Sequence, residues 1–212
     1  MIQAMDAMLN LLIDELRDRH ACHTVILYGS RARGDHSAHS DYDVLGIRKD
    51  GEAYRDARPW QDSYLDAFIY PEAAFDVLDE GMLRLHGGRV LIEQEAWGRQ
   101  LLMRVDALFS AGPAAPDPTE VQTRITWARK MLARIQRQDL EAHYRRHWLL
   151  VQLLEDYFYL RRQWYRGPKE SFAWLQANDP PTYSRFEAAL EPHASDEHLH
   201  LLVEHVIAPI AP

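Results

Sequence analysis

The stretch Thr24-Val25-Ile26-Leu27-Tyr28-Gly29-Ser30-Arg31-Ala32-Arg33-Gly34 is followed, after a polar loop, by Ser40-Asp41-Tyr42-Asp43-Val44-Leu45-Gly46-Ile47. Residues 24–28 are β-branched and compact, which predicts a buried strand that breaks at Gly29-Ser30. With no side chain at Gly29, a phosphate can approach the backbone N–H groups, and the Ser30 hydroxyl adds a donor. Residues 41–47 read as a second strand, whose period of two puts Asp41 and Asp43 on one face. Two hard oxygen ligands on a rigid face suit Mg²⁺, with phosphate oxygens and water completing its octahedron. Residues 63–70 read as a third strand, with Asp66 sharing a face with Phe68 and Tyr70 while Leu65, Ala67 and Ile69 face the other way. A neighbouring position in one sheet brings this third carboxylate beside the first two.

Upstream, Met5, Leu9, Leu12 and Leu16, with Met8 and Ile13, recur at helical spacing and predict a first amphipathic helix that ends near His20. Residues 49–62 are charged and polar and read as a surface connection. Pro71 suits the first turn of a short helix through Val77 and Leu78, residues 90–92 a short strand, and residues 95–108 a helix. Residues 110–118 contain three prolines and a glycine and mark a domain boundary. Beyond it the pattern is helical: 121–137, a long helix over 140–166 stopped by Gly167-Pro168, then 171–177, 183–190 and 196–207. The expected fold is an α/β (α+β) domain with a mixed sheet over residues 1–110, and an all-α helical bundle over residues 119–212.

Composition sets the class. The chain has 212 residues, 47% of them hydrophobic and 26% charged, with a net charge of −8. That is enough to bury a core in each half, and too apolar for disorder. No run approaches the ~20 apolar residues of a membrane span, and residues 1–6 lack the basic start of a signal peptide. A single cysteine, Cys22, excludes an internal disulfide and a thiolate zinc site, and the expected location is the reducing cytoplasm. The acidic balance disfavours a nucleic-acid partner. The charge is unevenly spread: residues 1–110 carry net −7, residues 121–169 net +7 and residues 170–212 net −6.

Gly29-Ser30, Asp41-x-Asp43 and Asp66, in strand–turn–loop–strand order, resemble the signature of the DNA polymerase β-like nucleotidyltransferases. The small bacterial aminoglycoside and lincosamide nucleotidyltransferases and the minimal nucleotidyltransferases are the nearest in pattern. The fuller form Gly-Ser-x-Ala-Arg-Gly followed by Ser-Asp-x-Asp is matched as well, which brings in Arg31, Arg33 and Ser40. The resemblance implies transfer of a nucleoside monophosphate from an NTP, with ATP the expected donor, to an acceptor hydroxyl, releasing pyrophosphate. It implies two Mg²⁺ ions on Asp41, Asp43 and Asp66, with Asp66 on the acceptor side helping to take the hydroxyl proton. Gly29 and Ser30 are then expected at the β/γ-phosphates, with Arg31, Arg33 and Ser40 nearby.

In the helical half, Lys169 follows Gly167-Pro168 at a helix start, where a cation is unfavourable to the helix dipole; it is a candidate for the phosphates across an interdomain cleft. Glu155 and Asp156 are candidates for a base or acceptor clamp, against an ordinary pairing with Arg161 or Arg162. The aromatic helix with Trp148, Tyr157, Tyr159, Trp164 and Tyr165 reads mainly as core, and His143 with His147 lacks the intervening Glu of a zinc helix. A small-molecule acceptor in the interdomain cleft is the leading expectation. The basic span 121–169 favours a neutral or anionic acceptor over a polycationic aminoglycoside. Modification of a protein or RNA by an antitoxin-like enzyme, or nucleotide binding without turnover, are the alternatives, and the sequence leaves room for a homodimer.

Overall fold

The computed structural model describes residues 2–137 and 139–208; Met1, Gln138 and residues 209–212 lie outside them. The chain divides into two compact units between Ala111 and Gly112. No helix among the described residues is long and apolar enough to cross a membrane.

The first unit is a five-stranded mixed sheet with helices on both faces. Its elements run α1 (Ile2–His20), β1 (Thr24–Tyr28), the five-residue α2 (Gly29–Arg33), β2 (Tyr42–Arg48), β3 (Tyr54–Trp60), β4 (Ser63–Pro71), β5 (Arg89–Ile92) and α3 (Trp97–Ala111). Two 3₁₀ turns, Glu72–Phe75 and Glu80–Leu85, fall between β4 and β5. The strand order is β3-β4-β2-β1-β5, with only β2 and β4 parallel. Alternation along the strands splits the core. Val25, Leu27, Val44, Leu65 and Ala67 pack with Leu12 and Leu16 of α1. Ile26, Tyr28, Leu45 and Ile47 pack on the other face with Phe75, Leu85 and Leu101.

Two sequence expectations need correction here. Residues 49–62 contain β3, an edge strand. Its mostly exposed face and its Pro59 give it none of the apolar alternation of a two-sided strand. Pro71 ends β4 instead of opening a helix, and only the single 3₁₀ turn Glu72–Phe75 follows it directly.

The second unit consists, among the described residues, of helices α4 (Pro118–Ile135), α5 (Leu140–Leu160), α6 (Pro168–Asn178), α7 (Pro180–Leu190) and α8 (Asp196–Ile207). The starts are written locally. The Asp117 carboxylate accepts from the N–H groups of Thr119 and Glu120 at 2.7 and 3.0 Å, and Asp139 from that of Ala142 at 2.8 Å. Helix α5 ends six residues before the expected Arg166. Arg162 takes a left-handed conformation (φ 53°), and the N–H of Gln163 returns to the Phe158 carbonyl at 2.9 Å. The nearby Arg161 guanidinium donates to the carbonyls of His205 and Val206 at 3.2 and 3.1 Å, so tertiary contacts support the stop. Gly167-Pro168 then opens α6 instead of closing α5, with Pro168 in its first turn.

Asp156 lies inside this unit, 1% exposed, and accepts from Arg124 Nη1 at 2.7 Å and Gln152 Nε2 at 3.0 Å. Burial pushes its carboxyl pKa up, against these hydrogen bonds. Removing one partner of a buried ion pair strands the other, so Asp156→Ala should destabilise the helical unit by about 3 kcal/mol. The apolar pair Arg124→Met/Asp156→Leu should recover most of that loss, as read by urea denaturation.

Candidate active site

Cross-strand register builds the site. Tyr28 of β1 pairs with Asp43 of β2, and Asp43 pairs with Asp66 of β4. Residues directly opposite in neighbouring strands share a face, so Asp43 and Asp66 stand side by side about 5 Å apart at the backbone, on the face of Tyr28, Phe68 and Tyr70. Asp41 immediately precedes β2. The three acids are electrostatically coupled: burial first, then the charges of Asp66 and Asp41, push the Asp43 carboxyl up to about 6, while Arg33 and Arg31 pull the other way. The buried Tyr28 hydroxyl is pushed well above its ordinary value, chiefly by burial.

Gly29 begins α2 at φ +68°, where a side chain is strained. It is also packed against the acid beside it, since a Cβ built there would lie 2.3 Å from Asp43 Oδ2. The turn and the carboxylate are thus one piece of structure. Arg31 is committed to the protein: its guanidinium donates to the Ser40 carbonyl at 2.6 and 3.0 Å and to the Asp41 carbonyl at 3.1 Å, and lies 3.9 Å from the Tyr42 ring centroid. It therefore holds the backbone that leads into Asp41. Ser40 is also held, its carbonyl accepting from the Ser63 hydroxyl at 3.0 Å and its Oγ from the Ser37 N–H at 2.9 Å. Arg33 lies 3.5 Å from Asp35 at the end of α2.

Asp66 is engaged by a residue the sequence did not single out. Arg55 of β3 forks onto it, Nε to Oδ1 at 2.6 Å and Nη2 to Oδ2 at 2.7 Å. The register explains the reach: Asp66 pairs with Ala57, and Arg55 is the diagonal neighbour on the same face. With β3 read as a loop, no pattern could place Arg55 there. Arg84, from the second 3₁₀ turn, stands over the Phe68 ring at 4.5 Å and donates to the Tyr70 hydroxyl at 3.3 Å.

As placed, no three His, Cys, Asp or Glu side chains among the described residues converge closely enough to hold a metal ion, Asp66 being paired with Arg55. The donor chemistry nevertheless fits a hard divalent cation: burial and then repulsion from Asp66 and Asp41 disfavour the charge on Asp43, and a bound dication relieves both.

In the helical unit, Lys169 lies in the first turn of α6. Glu155 is half exposed and 3.6 Å from Arg124. Asp156 faces inward onto Arg124. His143 and His147 line a cavity of about 430 Å³ with Arg146, Glu191 and Asp196. Tyr157 and Phe158 are core, whereas Trp148 is half exposed against Trp127.

A glycine turn at the end of β1 thus packs against Asp43, with Asp66 on the adjoining strand and Asp41 just before β2. Residues 9–77 match the model of the nucleotidyltransferase domain family, a span that holds Gly29, Asp41, Asp43 and Asp66. The match is to a nucleotidyltransferase domain and lies wholly within the first unit. Among solved structures, the chain is similar to a nucleotidyltransferase-like protein from Exiguobacterium sibiricum at 13% identity and a TM-score of 0.45, over 94% of this chain and 74% of that one. No curated protein matches the sequence.

Proposed function

We propose that the protein transfers a nucleoside monophosphate, AMP from ATP, to a hydroxyl of a small-molecule acceptor and releases pyrophosphate. The observation that carries this reading is the register that seats Asp43 between the Gly29 turn and Asp66. Gly29 and Ser30 offer backbone and hydroxyl donors to the β/γ-phosphates, Arg33 adds positive charge beside them, and Arg31 fixes the Ser40–Asp41 backbone. Asp41, Asp43 and Asp66 would hold two Mg²⁺ ions. Bound there, the metal neutralises phosphate charge and lowers the pKa of the acceptor hydroxyl.

In this reading the phosphates lie at the β1 turn and the acceptor on the Asp66 side. The acceptor oxygen bonds to the α-phosphorus as the bond from that phosphorus to the α–β bridging oxygen breaks. Pyrophosphate leaves with that electron pair, and the hydroxyl proton passes to the Asp66 carboxylate. Positioning and charge neutralisation supply most of the rate in such a reaction. In this reading the acceptor is neutral or anionic, in keeping with the net +7 of residues 121–169. A cytoplasmic setting accords with the lone buried Cys22, whose thiol burial pushes up to about 11.

The test is incubation with ATP labelled at the α-phosphate, Mg²⁺ and a panel of neutral, anionic and polycationic hydroxyl compounds. Label should move to a neutral or anionic member, and EDTA should abolish the transfer. Labelling that persists in EDTA, or ATP binding with no acceptor ever labelled, would count against the reading.

A further inference from the structure

The Arg55–Asp66 pair calls for a functional account because of where it stands. A bidentate guanidinium–carboxylate fork is among the stronger charge-assisted contacts, and here both oxygens of one proposed metal ligand are taken by it. The two partners are unequally fixed. The Asp66 side chain is 16% exposed on a strand with neighbours on both sides, while the Arg55 side chain is 55% exposed on the edge strand. The carboxylate is therefore held, and the guanidinium is the member free to leave.

While forked onto Asp66, the Arg55 guanidinium also lies 5.1 Å from the centroid of the Phe68 ring, a contact with a cation that does not depend on the carboxylate. Arg84, on the same ring at 4.5 Å, is tethered to the Gly81 carbonyl at 3.2 Å and the Tyr70 hydroxyl at 3.3 Å. Arg84 is thus tethered by oxygens other than those of the acids, whereas the tether of Arg55 is Asp66 itself.

We propose that Arg55 is an internal counter-ion that competes with the divalent metal for the carboxylate of Asp66, so that release of this fork sets the metal affinity of the site. The proposal rests on the reading of Asp41, Asp43 and Asp66 as metal ligands, and it assigns Arg55 a positioning role within that set. A dication arriving at Asp43 meets Asp66 already neutralised by a guanidinium, whose charge repels it. Exchange of one cation for the other keeps Asp66 paired throughout and weakens binding of the free ion. A loosely held ion is one that arrives efficiently only with the extra ligands of a nucleotide.

The experiment is a titration with Mn²⁺ alone, followed by electron paramagnetic resonance, on the full chain. Arg55→Ala should bind Mn²⁺ about tenfold more tightly than the wild type, and Arg55→Lys, which keeps the charge but cannot fork, should fall between them. In an Asp66→Asn background the same Arg55→Ala change should alter the affinity less than about twofold, because the coupling it removes is already gone. Equal binding by wild type and Arg55→Ala, or weaker binding by Arg55→Ala, overturns the proposal. So does an equal gain in both backgrounds, which marks a general charge effect. If Asp43→Asn binds Mn²⁺ as tightly as the wild type, the reading of the three acids as ligands is what fails. Thermal melts of each variant, with Arg55→Lys as the least disruptive, separate binding from folding.

Discussion

Asp43→Asn should lower nucleotidyl transfer by about three orders of magnitude, the scale of several kcal/mol of metal-assisted charge stabilisation. The same change should make the protein more stable in metal-free buffer. The Asp43 carboxyl sits at about 6 in the folded protein against an ordinary 3.8, pushed up by burial and by Asp66 and Asp41. Between those values the folded form binds more protons than the unfolded chain, so stability falls as pH rises from about 4 to about 6 and stays lower above it. The shift corresponds to a loss of at most about 3 kcal/mol. Asparagine has no charge to bury, so its melting temperature should lack that slope and exceed the wild type's at pH 7. Mg²⁺ should then stabilise the wild type and leave Asp43→Asn unmoved. Melting curves with EDTA and with Mg²⁺ at pH 4.5 and 7 check all three statements. A flat wild-type profile would remove the electrostatic account of this acid.

A buried acid that costs the fold stability stands out in a sequence, and that is how the candidate site became legible. Gly29, Asp43 and Asp66 could be read because each violates the local pattern of a buried strand or its turn. Asp66 interrupts a run that is otherwise apolar on one face and aromatic on the other, and the period of two places it unambiguously. The sheet then puts it beside Asp43, which β-strand periodicity alone could not state, because pairing partners are set by the whole topology.

What escaped the sequence escaped for a physical reason in each case. Strand β3 has one face largely open to solvent and charges along it, so nothing apolar marks it, and Arg55 was lost with it. Arg31 looks like a phosphate ligand from its place in the motif, but backbone carbonyls carry no sequence signature, and it is these that take its donors. The stop of α5 depends on Arg162 in a left-handed conformation and on Arg161 reaching α8, whereas a glycine or proline would have announced it. Polar residues at a site are visible by their cost; the partners that offset the cost are tertiary.

Gly29→Ala is the change in which turn and acid fail together. Two separate penalties act. Alanine at φ +68° adopts the left-handed region at about 1–2 kcal/mol. The new methyl also falls 2.3 Å from Asp43 Oδ2 and 3.0 Å from its Cγ, closer than real contacts allow, so the carboxylate must rotate away or the turn must lift. Lifting the turn moves Ser30 and the N–H groups proposed for the phosphates. Rotating the acid moves it off the register that sets it beside Asp66. Either route displaces a proposed site group by about 1 Å, and such misplacement costs on the order of a hundredfold in rate. The expected result is a loss of about 2 kcal/mol in stability by denaturant titration, together with a roughly hundredfold fall in transfer. The neighbouring Gly34 supplies the control. It also has a positive φ, +85°, but a Cβ there meets nothing within 4 Å, so Gly34→Ala carries only the conformational penalty. It should lose a similar 1–2 kcal/mol of stability and keep most of the transfer. If Gly34→Ala and Gly29→Ala lose activity equally, the contact between the turn and Asp43 is not what shapes the site.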